Sequence, residues 1–252
     1  MKQEQALAFL KSGKNIFLTG SAGTGKTYVL NQYITYLKER KIPVAVTAST
    51  GIAATHINGM TIHAWAGIGI KDHLTTAQLR NLKTKKYLEK KLDKVKVLII
   101  DEISMLHQKQ LDLVDQVLKY FKMNQLPFGG IQIVFCGDFF QLPPIGNQEE
   151  SSKQKFAFMS PVWVNAEPTI CYLTQQYRQS NDGLNTILNE IRSGRISEMR
   201  YLNLKDTIGQ KIKSKVEPTR LFTHNYDVDN INQEELKKIS GKSKHYNAET
   251  KG

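Results

Sequence analysis

The eight residues GSAGTGKT at positions 20–27 constrain the fold of this 252-residue chain more than any other stretch. An apolar run over 15–20 precedes them and predicts a strand, and a helical pattern follows over 26–40. A glycine-rich loop in this context directs backbone N–H groups at phosphate oxygens, and the helix N-terminus adds a favourable dipole. The motif therefore predicts a phosphate-binding loop made of Gly20, Ser21, Ala22, Gly23, Thr24, Gly25, Lys26 and Thr27.

Two carboxylates extend this predicted site. The run VKVLIID (95–101) predicts a central strand, and Asp101 and Glu102 stand at its carboxyl end. In such sites the loop lysine, here Lys26, reaches the β- and γ-phosphates, and the threonine hydroxyl of Thr27 ligates Mg²⁺. The strand-end aspartate holds the same metal. The adjacent carboxylate of Glu102 is placed to take a proton from the attacking water as the catalytic base.

The remaining periodicity indicates an α/β fold. Strands are predicted over 44–49, 131–136, 169–174 and 219–224, and helices over 111–121, 182–193 and 226–239. Strands that alternate with helices favour a mostly parallel sheet with helices on both faces, as in P-loop NTPases. Residues 68–95 are rich in lysine and indicate a small insertion, and a second unit is predicted from residue 175 onward. Cys136 and Cys171 lie in strand-like runs and are predicted to be buried small hydrophobes.

The stretch GDFFQLPP (137–144) follows the predicted strand over 131–136. Because ligands of parallel sheets bind at the carboxyl ends of strands, Gln141 is expected near the γ-phosphate. Its amide can donate to the phosphate and accept from the attacking water, and Pro143 and Pro144 stiffen the backbone that carries it. Taken alone, the same glutamine would fit an ordinary polar turn.

The charge of the chain points to a polyanionic partner. The net charge is +12, and residues 71–96 hold nine basic and three acidic residues, which is +6 of that total. Nucleic acid is the leading partner for such a surface. No apolar run is long enough to cross a bilayer, and the N-terminus is too polar for a signal peptide. We therefore expect a soluble, intracellular protein, cytoplasmic or in the nucleoid if bacterial, with no membrane partner.

Six motifs together resemble the Pif-type (petite integration frequency) DNA helicases of superfamily 1B. They are GSAGTGKT, TASTGIAA, TIHAWAGIG, VLIIDEISML, PFGGIQIVFCGDFFQLPPI and LTQQYRQ, in that order. The segment 112–132 resembles the signature that separates this family from its RecD-like relatives. The resemblance implies a RecA-like domain 1A over 1–174 with an inserted wedge-like 1B segment at about 68–95. Residues 175–252 would then be a partial second RecA-like domain, 2A, and the chain is expected to be truncated.

The resemblance also implies an ATP-driven, monomeric motor that moves 5′ to 3′ on single-stranded DNA and unwinds duplexes at single-strand junctions. Roles in DNA repair, recombination, and telomere or genome maintenance would follow. The cofactors implied are ATP and Mg²⁺. Gln5 matches the glutamine that reads adenine, and Tyr177 matches a residue that packs against the base. Arg178 matches an arginine that reaches the γ-phosphate from the second domain, where it could stabilise the charge of the transferring phosphoryl group.

The stretch TASTGIAATHINGMTIHAWAG (47–67) resembles the single-strand binding element of the family. Thr50, Gly51, His63 and Trp65 are the predicted DNA contacts, because aromatic stacking and a basic groove are common in sequence-independent binding. His63 and Trp65 fit a packed core equally well. Two further functions stay open at this level, namely a P-loop ATPase that does not act on DNA and an uncoupled fragment that binds nucleotide or DNA.

Overall fold

A six-stranded parallel sheet forms the centre of the protein. The computed structural model describes residues 1–69, 71–146, 150–177, 182–210, 218–241, 244 and 246. The strand order is β3-β2-β4-β5-β1-β6, and every described pairing is parallel. The strands are β1 (Ile16–Gly20), β2 (Val44–Ala48), β3 (Met60–Thr61), β4 (Val97–Asp101), β5 (Gln132–Gly137) and β6 (Thr169–Leu173). The predicted α/β class with a parallel sheet is confirmed.

Helices cover both faces of this sheet within a first compact unit, Met1–Arg195. They are α1 (Gln3–Lys11), α2 (Lys26–Glu39), α3 (Gly51–His56), α4 (Ile62–Ala66), α5 (Thr76–Thr84), α6 (Lys86–Lys94), α7 (Gln108–Lys122), α8 (Pro161–Ala166) and α9 (Asp182–Ser193). The helices predicted over 26–40, 111–121 and 182–193 correspond to α2, α7 and α9. Among the described residues, no helix is both long and apolar enough to cross a membrane.

Successive side chains along each strand point to opposite faces of the sheet, and they form two separate hydrophobic cores. Phe17 and Ile100 belong to the core that packs against α4 to α8, whereas Leu18 and Ile99 belong to the core under α1 and α2. This is the two-faced burial that a parallel sheet requires. The cysteines Cys136 and Cys171 are both buried on the α1 and α2 side, as predicted.

The lysine-rich segment 68–95 folds as two short helices that share the main core. Leu79 and Leu82 of α5 and Leu88 and Leu92 of α6 are buried in the same cluster as α4 and α7. The leucines repeat at helical spacing, which gives each helix one apolar face and leaves its lysines on the other. The predicted insertion is therefore packed against the first unit by its leucines, and its assignment as a wedge stays a prediction.

The second compact unit, Ile196–Gly252, contains α10 (Glu198–Lys205) and α11 (Asn225–Lys238). The helix predicted over 226–239 corresponds to α11. The strand predicted over 219–224 is wrong, because the described residues there form an extended loop and a bend that lead into α11. The boundary between the units follows Arg195, whereas the domain boundary predicted at 174/175 lies just after β6; the domain assignment itself stays a prediction.

Candidate active site

The phosphate-loop motif forms the turn between β1 and α2. Gly25 is the N-cap of α2 and has a φ of 82°, a left-handed conformation that favours glycine. A Cβ at this position would also collide with the side chain of Gln3. The left-handed backbone therefore favours glycine here, whereas the Gln3 side chain could move aside. Thr24 is a buried residue of the loop, and its Oγ1 donates to the carbonyl oxygen of Ser21 at 2.9 Å.

Lys26, the first residue of α2, is held by the loop itself. Its Nζ donates to the carbonyl oxygens of Gly20 at 2.8 Å and Ser21 at 3.2 Å. These neutral acceptors leave the ammonium charge uncompensated within the loop. An anionic phosphate oxygen is a stronger acceptor for such a donor than a carbonyl oxygen. The arrangement therefore favours exchange of these contacts for a phosphate group.

Asp101 and Glu102 lie at the carboxyl end of β4. Asp101 is 6% exposed, and its Oδ1 accepts the Glu102 N–H at 2.9 Å. Burial raises the pKa of Asp101 above its ordinary value, while hydrogen bonds from the Cys136 thiol and the Glu102 backbone and the charge of Lys26 oppose that rise. Glu102 is partly buried, and burial and the adjacent Asp101 raise its pKa as well. A carboxylate with a raised pKa is a stronger base, which suits proton abstraction.

Glu102 has a left-handed backbone with φ 50° and ψ 45°. A non-glycine residue in this conformation is uncommon, and such strain is concentrated at functional sites. Ser49, which follows β2, stabilises it: the Ser49 hydroxyl donates to the Glu102 carbonyl oxygen at 2.7 Å. The Ser49 N–H also donates to the Asp101 carbonyl oxygen at 3.1 Å. Two neighbouring strands therefore fix the backbone of the acidic pair.

The loop, Glu102 and two later segments line one cleft of about 610 Å³. It is lined by Ala22, Gly23, Gly25, Lys26, Thr27, Tyr28, Glu102, Gln141 and Tyr177. The structure therefore brings Glu102, Gln141 and Tyr177 together with Lys26 and Thr27 of the loop, although these segments are far apart in sequence. The volume falls in the range of pockets that hold small-molecule ligands and cofactors.

The donors in this cleft fit a magnesium nucleotide. Thr27 lines the cleft, and Asp101 lies buried at the adjacent strand end beside Glu102. Within the described ranges, no three His, Cys, Asp or Glu residues cluster as a metal site. A small set of oxygen ligands suits Mg²⁺, which keeps several waters and relies on one or two carboxylates plus substrate phosphates.

The segment after β6 closes one side of the cleft. The Tyr177 N–H donates to the Gly23 carbonyl oxygen at 2.9 Å, and the Gln176 Nε2 donates to the Ser21 Oγ at 3.0 Å. The Tyr177 side chain is exposed and lines the cleft. This position suits the packing against a base predicted for Tyr177. Arg178 lies outside the described residues.

A profile of the PIF1-like helicases matches residues 2–201 of the chain. The chain belongs to the PIF1-like helicase family. It is 56% identical to the ATP-dependent DNA helicase Pif1 of Psychrobacter sp. (strain PRwf-1), over 98% of this chain and 38% of that protein. The chain thus spans about two fifths of the length of this curated relative.

Solved PIF1-like structures share the fold. The crystal structure of Pif1 helicase from Candida albicans superposes with a TM-score of 0.83 at 35% identity, over 95% of this chain and 54% of that one. The Bacteroides Pif1 helicase in complex with ADP-AlF₃ and single-stranded DNA gives a TM-score of 0.82 at 30% identity, over 95% and 57%. The RecA-like P-loop fold predicted for the chain is therefore confirmed.

Gln5, the adenine-reading glutamine implied by the PIF1-like resemblance, does not line the cleft. Its side chain is exposed, and its Oε1 accepts the Lys2 N–H at 2.9 Å in a capping box of α1. Gln3 instead reaches the loop, where its Nε2 donates to the Thr24 carbonyl oxygen at 3.1 Å. The adenine contact implied for Gln5 stays a prediction. The loop contact of Gln3 was not predicted from the sequence, because two glutamines two positions apart on a helix differ only in the direction they face.

The predicted DNA-binding element of the PIF1-like pattern lies over α3 and α4. Thr50 is the N-cap of α3, where its side chain accepts the Ala53 N–H at 3.3 Å, and Gly51 is exposed. His63 is half-buried and hydrogen-bonds Gln110 of α7 through its Nε2 at 2.8 Å. The positions of Thr50, Gly51 and His63 do not test their predicted DNA contacts, which stay predictions.

Trp65 has a different environment. It is only 3% exposed and belongs to the core between the sheet and α5 to α7. The Lys91 ammonium lies 5.8 Å from its ring centroid. With 3% of its surface exposed, the Trp65 ring cannot take a stacked base without rearrangement of the residues around it, so the structure contradicts the predicted DNA contact of Trp65. The packed-core interpretation, which the sequence left open, is the one observed.

Proposed function

We propose that this chain is the motor portion of an ATP-dependent DNA helicase that moves 5′ to 3′ on single-stranded DNA. The observation that carries the proposal is the single cleft in which Lys26, Glu102 and Gln141 meet at the carboxyl ends of parallel strands. A related Bacteroides Pif1 helicase was solved with ADP-AlF₃ and single-stranded DNA, which supports both ligand classes.

In this proposal each group of the cleft has a separate role in phosphoryl transfer. Backbone N–H groups of residues 20–27 bind the phosphates, and Lys26 neutralises charge on the β- and γ-phosphates. Glu102 orients the attacking water and accepts its proton. Gln141 hydrogen-bonds both the water and the γ-phosphate, so its position depends on whether that phosphate is present. Tyr177 is proposed to pack against the base, and Gln5 to read the adenine, as in the family pattern.

Thr27 and Asp101 would hold Mg²⁺. When bound, the cation neutralises charge that develops on the transferring phosphoryl group. Burial of Asp101 keeps its carboxylate fixed beside Glu102, and the Cys136 thiol and the Glu102 N–H orient it. The side chain of Arg178, which matches the family arginine, would complete the site on the γ-phosphate.

The DNA-binding side of the proposal rests on α3, α4 and the basic helices α5 and α6. Thr50, Gly51 and His63 are the proposed backbone contacts, and the lysines of 71–96 provide positive charge toward DNA at the single-strand/duplex junction. Ser49 directly precedes Thr50 and bonds Glu102. The segment 49–51 therefore contains two proposed DNA contacts, Thr50 and Gly51, and the serine that hydrogen-bonds the backbone of the proposed catalytic base.

The proposed division of the chain follows the family pattern. Residues 1–174 form domain 1A, with the wedge-like segment 1B at about 68–95, and residues 175–252 begin domain 2A. The motor is proposed to act as a monomer. Repair, recombination and telomere or genome maintenance are the processes in which a helicase of this family would serve.

The test is hydrolysis of magnesium-ATP with and without oligo-dT, at about 50 and 200 mM salt because phosphate contacts weaken steeply as salt rises. We expect oligo-dT to stimulate turnover, more strongly at the lower salt. The matched control is Glu102→Gln, which keeps the shape of the side chain and removes the base. Duplexes with a 5′ or a 3′ single-stranded tail test direction, and unwinding is expected only with the 5′ tail.

Other outcomes identify the alternatives. DNA and ATP binding without stimulation would indicate an uncoupled nucleotide- and DNA-binding fragment. Turnover without any DNA binding would indicate a P-loop ATPase that acts on another substrate. Either result contradicts the helicase proposal for this chain.

A further inference from the structure

The turn that carries Gln141 is tied to α9 by a buried ion pair. The Arg192 Nη1 lies 2.5 Å from the Asp138 Oδ2, and the Asp138 side chain is 2% exposed and that of Arg192 19% exposed. Asp138 directly follows β5, and Arg192 lies in the last turn of α9. A charge this deeply buried is strongly destabilising when its partner is removed, so the two residues constrain each other's position.

Asp138 organises the turn on which Gln141 stands. Its Oδ1 accepts the Phe140 N–H at 3.1 Å, and its carbonyl oxygen accepts the Gln141 N–H at 2.9 Å. The Arg192 guanidinium also lies 4.3 Å from the centroid of the Phe140 ring. Arg192 therefore holds the turn at two points, through the Asp138 carboxylate and through a cation–π contact with Phe140.

Gln141 needs such support because it lies between two cavities. It lines the 610 Å³ cleft of the phosphate loop and also a second cavity of about 350 Å³. Ser21, Ala22 and Gln176 form one side of the second cavity, and residues of α9 form the other. With open space on both sides of Gln141, its direction depends on the turn that carries it.

We propose that Arg192 is a positioning residue for Gln141, holding the 138–141 turn so that the Gln141 amide faces the γ-phosphoryl group. The proposal rests on the proposed function of the cleft. In this proposal Arg192 acts on Gln141 through the turn and makes no contact of its own with nucleotide or metal. Its contribution is expected only when a γ-phosphoryl group or its mimic is present, since Gln141 acts at that group and the rest of the nucleotide is bound elsewhere.

The experiment compares the affinity for magnesium-ADP with the affinity for magnesium-ADP plus aluminium fluoride. The aluminium fluoride group mimics the γ-phosphoryl group. For Arg192→Met we expect ADP affinity within about twofold of wild type and a loss of about tenfold for ADP-aluminium fluoride, the size of one hydrogen bond to a charged group. Arg192→Lys, which keeps the charge beside Asp138, should recover most of the loss. Arg195→Met removes an exposed arginine three residues away and is the matched control.

A second comparison separates positioning from damage to the fold. If Arg192 acts through Gln141, Arg192→Met should cause no further loss in a Gln141→Ala background. The variant Asp138→Asn with Arg192→Met avoids an unpaired buried charge and should show the same selective loss. Thermal unfolding of each variant checks that it is folded.

Three results would overturn the proposal. They are an equal loss for ADP and ADP-aluminium fluoride, a loss that adds fully to that of Gln141→Ala, and an Arg192→Met variant that behaves as wild type. Failure of the wild-type chain to bind ADP would instead contradict the proposed function of the cleft, so the two failures are distinguishable.

Discussion

The Ser49 hydroxyl donates to the carbonyl oxygen of Glu102 at 2.7 Å and so connects the segment that precedes Thr50 with the proposed catalytic base. Ser49 is buried, and Glu102 has a left-handed backbone that needs such support. We expect Ser49→Ala to lower DNA-stimulated ATP turnover by about fivefold, since the lost hydrogen bond is worth about 1 kcal/mol and holds the base in position. ADP affinity should stay within about twofold.

The control for this variant is Ser12→Ala, which removes an exposed hydroxyl bound to Phe9 at the end of α1. Turnover assays of both variants with saturating oligo-dT provide the comparison. Equal turnover by Ser49→Ala and wild type would show that the contact does not support Glu102.

Asp115 stabilises the turn between α7 and β5. Its Oδ1 accepts the buried Phe128 N–H at 2.7 Å, and its Oδ2 pairs with the Lys119 ammonium at 2.7 Å. We expect Asp115→Ala to lower the free energy of unfolding by about 2 kcal/mol, because the Phe128 N–H would be buried without a partner. Lys119→Ala should lower it by a smaller amount, about 1 kcal/mol, since the hydrogen bond from Phe128 remains and only a partly buried i,i+4 partner of Asp115 is lost. Urea unfolding measures both, and equal effects would contradict this account.

Trp65 is predicted to stabilise the core and to make no stacking contact with DNA. Trp65→Phe should lower the free energy of unfolding by about 1–3 kcal/mol through the volume lost from a packed core. Its affinity for oligo-dT should remain within about twofold of wild type. Fluorescence anisotropy with labelled oligo-dT gives the affinity. A tenfold or larger loss of oligo-dT affinity in a folded variant would instead indicate that Trp65 stacks on a base, since base–aromatic stacking is worth about 1–3 kcal/mol.

The Tyr33 phenol makes the free energy of unfolding depend on pH in the alkaline range. Its Oη donates to the Gln132 Oε1 at 2.7 Å, and burial raises the pKa of Tyr33 to about 12. Because the folded pKa lies above the unfolded value of about 10, the contribution of this group is fully present below pH 10 and is lost as pH rises toward 12. Tyr33→Phe should lower the free energy of unfolding by about 1 kcal/mol at pH 7.

The difference between wild type and Tyr33→Phe should shrink between about pH 10 and 12, as measured by denaturant unfolding. Tyr87→Phe, at an exposed position, serves as the control and should match wild type throughout. A constant difference across this pH range would mean that Tyr33 does not titrate as described.

Local sequence patterns predicted the centre of the fold well. The motif at 20–27 and the apolar runs of β1, β2, β4 and β5 carry their structural signal within a few residues, and the carboxyl ends of these strands then determine where Lys26, Glu102 and Gln141 meet. The segment 219–224 shows the limit of the same signal. An apolar run forms a strand only beside a pairing partner, and partners are not encoded locally.

The direction and burial of single side chains are harder to predict from local sequence, and the role of Gln5 stays a prediction. Gln5 and Gln3 differ in which side of α1 they occupy, and only Gln3 faces the loop. Trp65 lies on a short helix whose buried side is set by α6 and α7, which lie more than 20 residues further along the chain. Arg192 carries no motif at all, and its pairing with Asp138 follows from the packing of α9.

The most direct test of the account is the affinity of the chain for a fluorescent ATP analogue in the presence of Mg²⁺, measured for wild type and for Lys26→Ala. Lys26 lines the cleft, and its described hydrogen bonds go to the carbonyl oxygens of Gly20 and Ser21. The account predicts saturable binding by wild type and a loss of at least about tenfold in Lys26→Ala, because a charge-assisted contact to phosphate is removed. Equal affinity in the two proteins would contradict the assignment of this cleft as the nucleotide site.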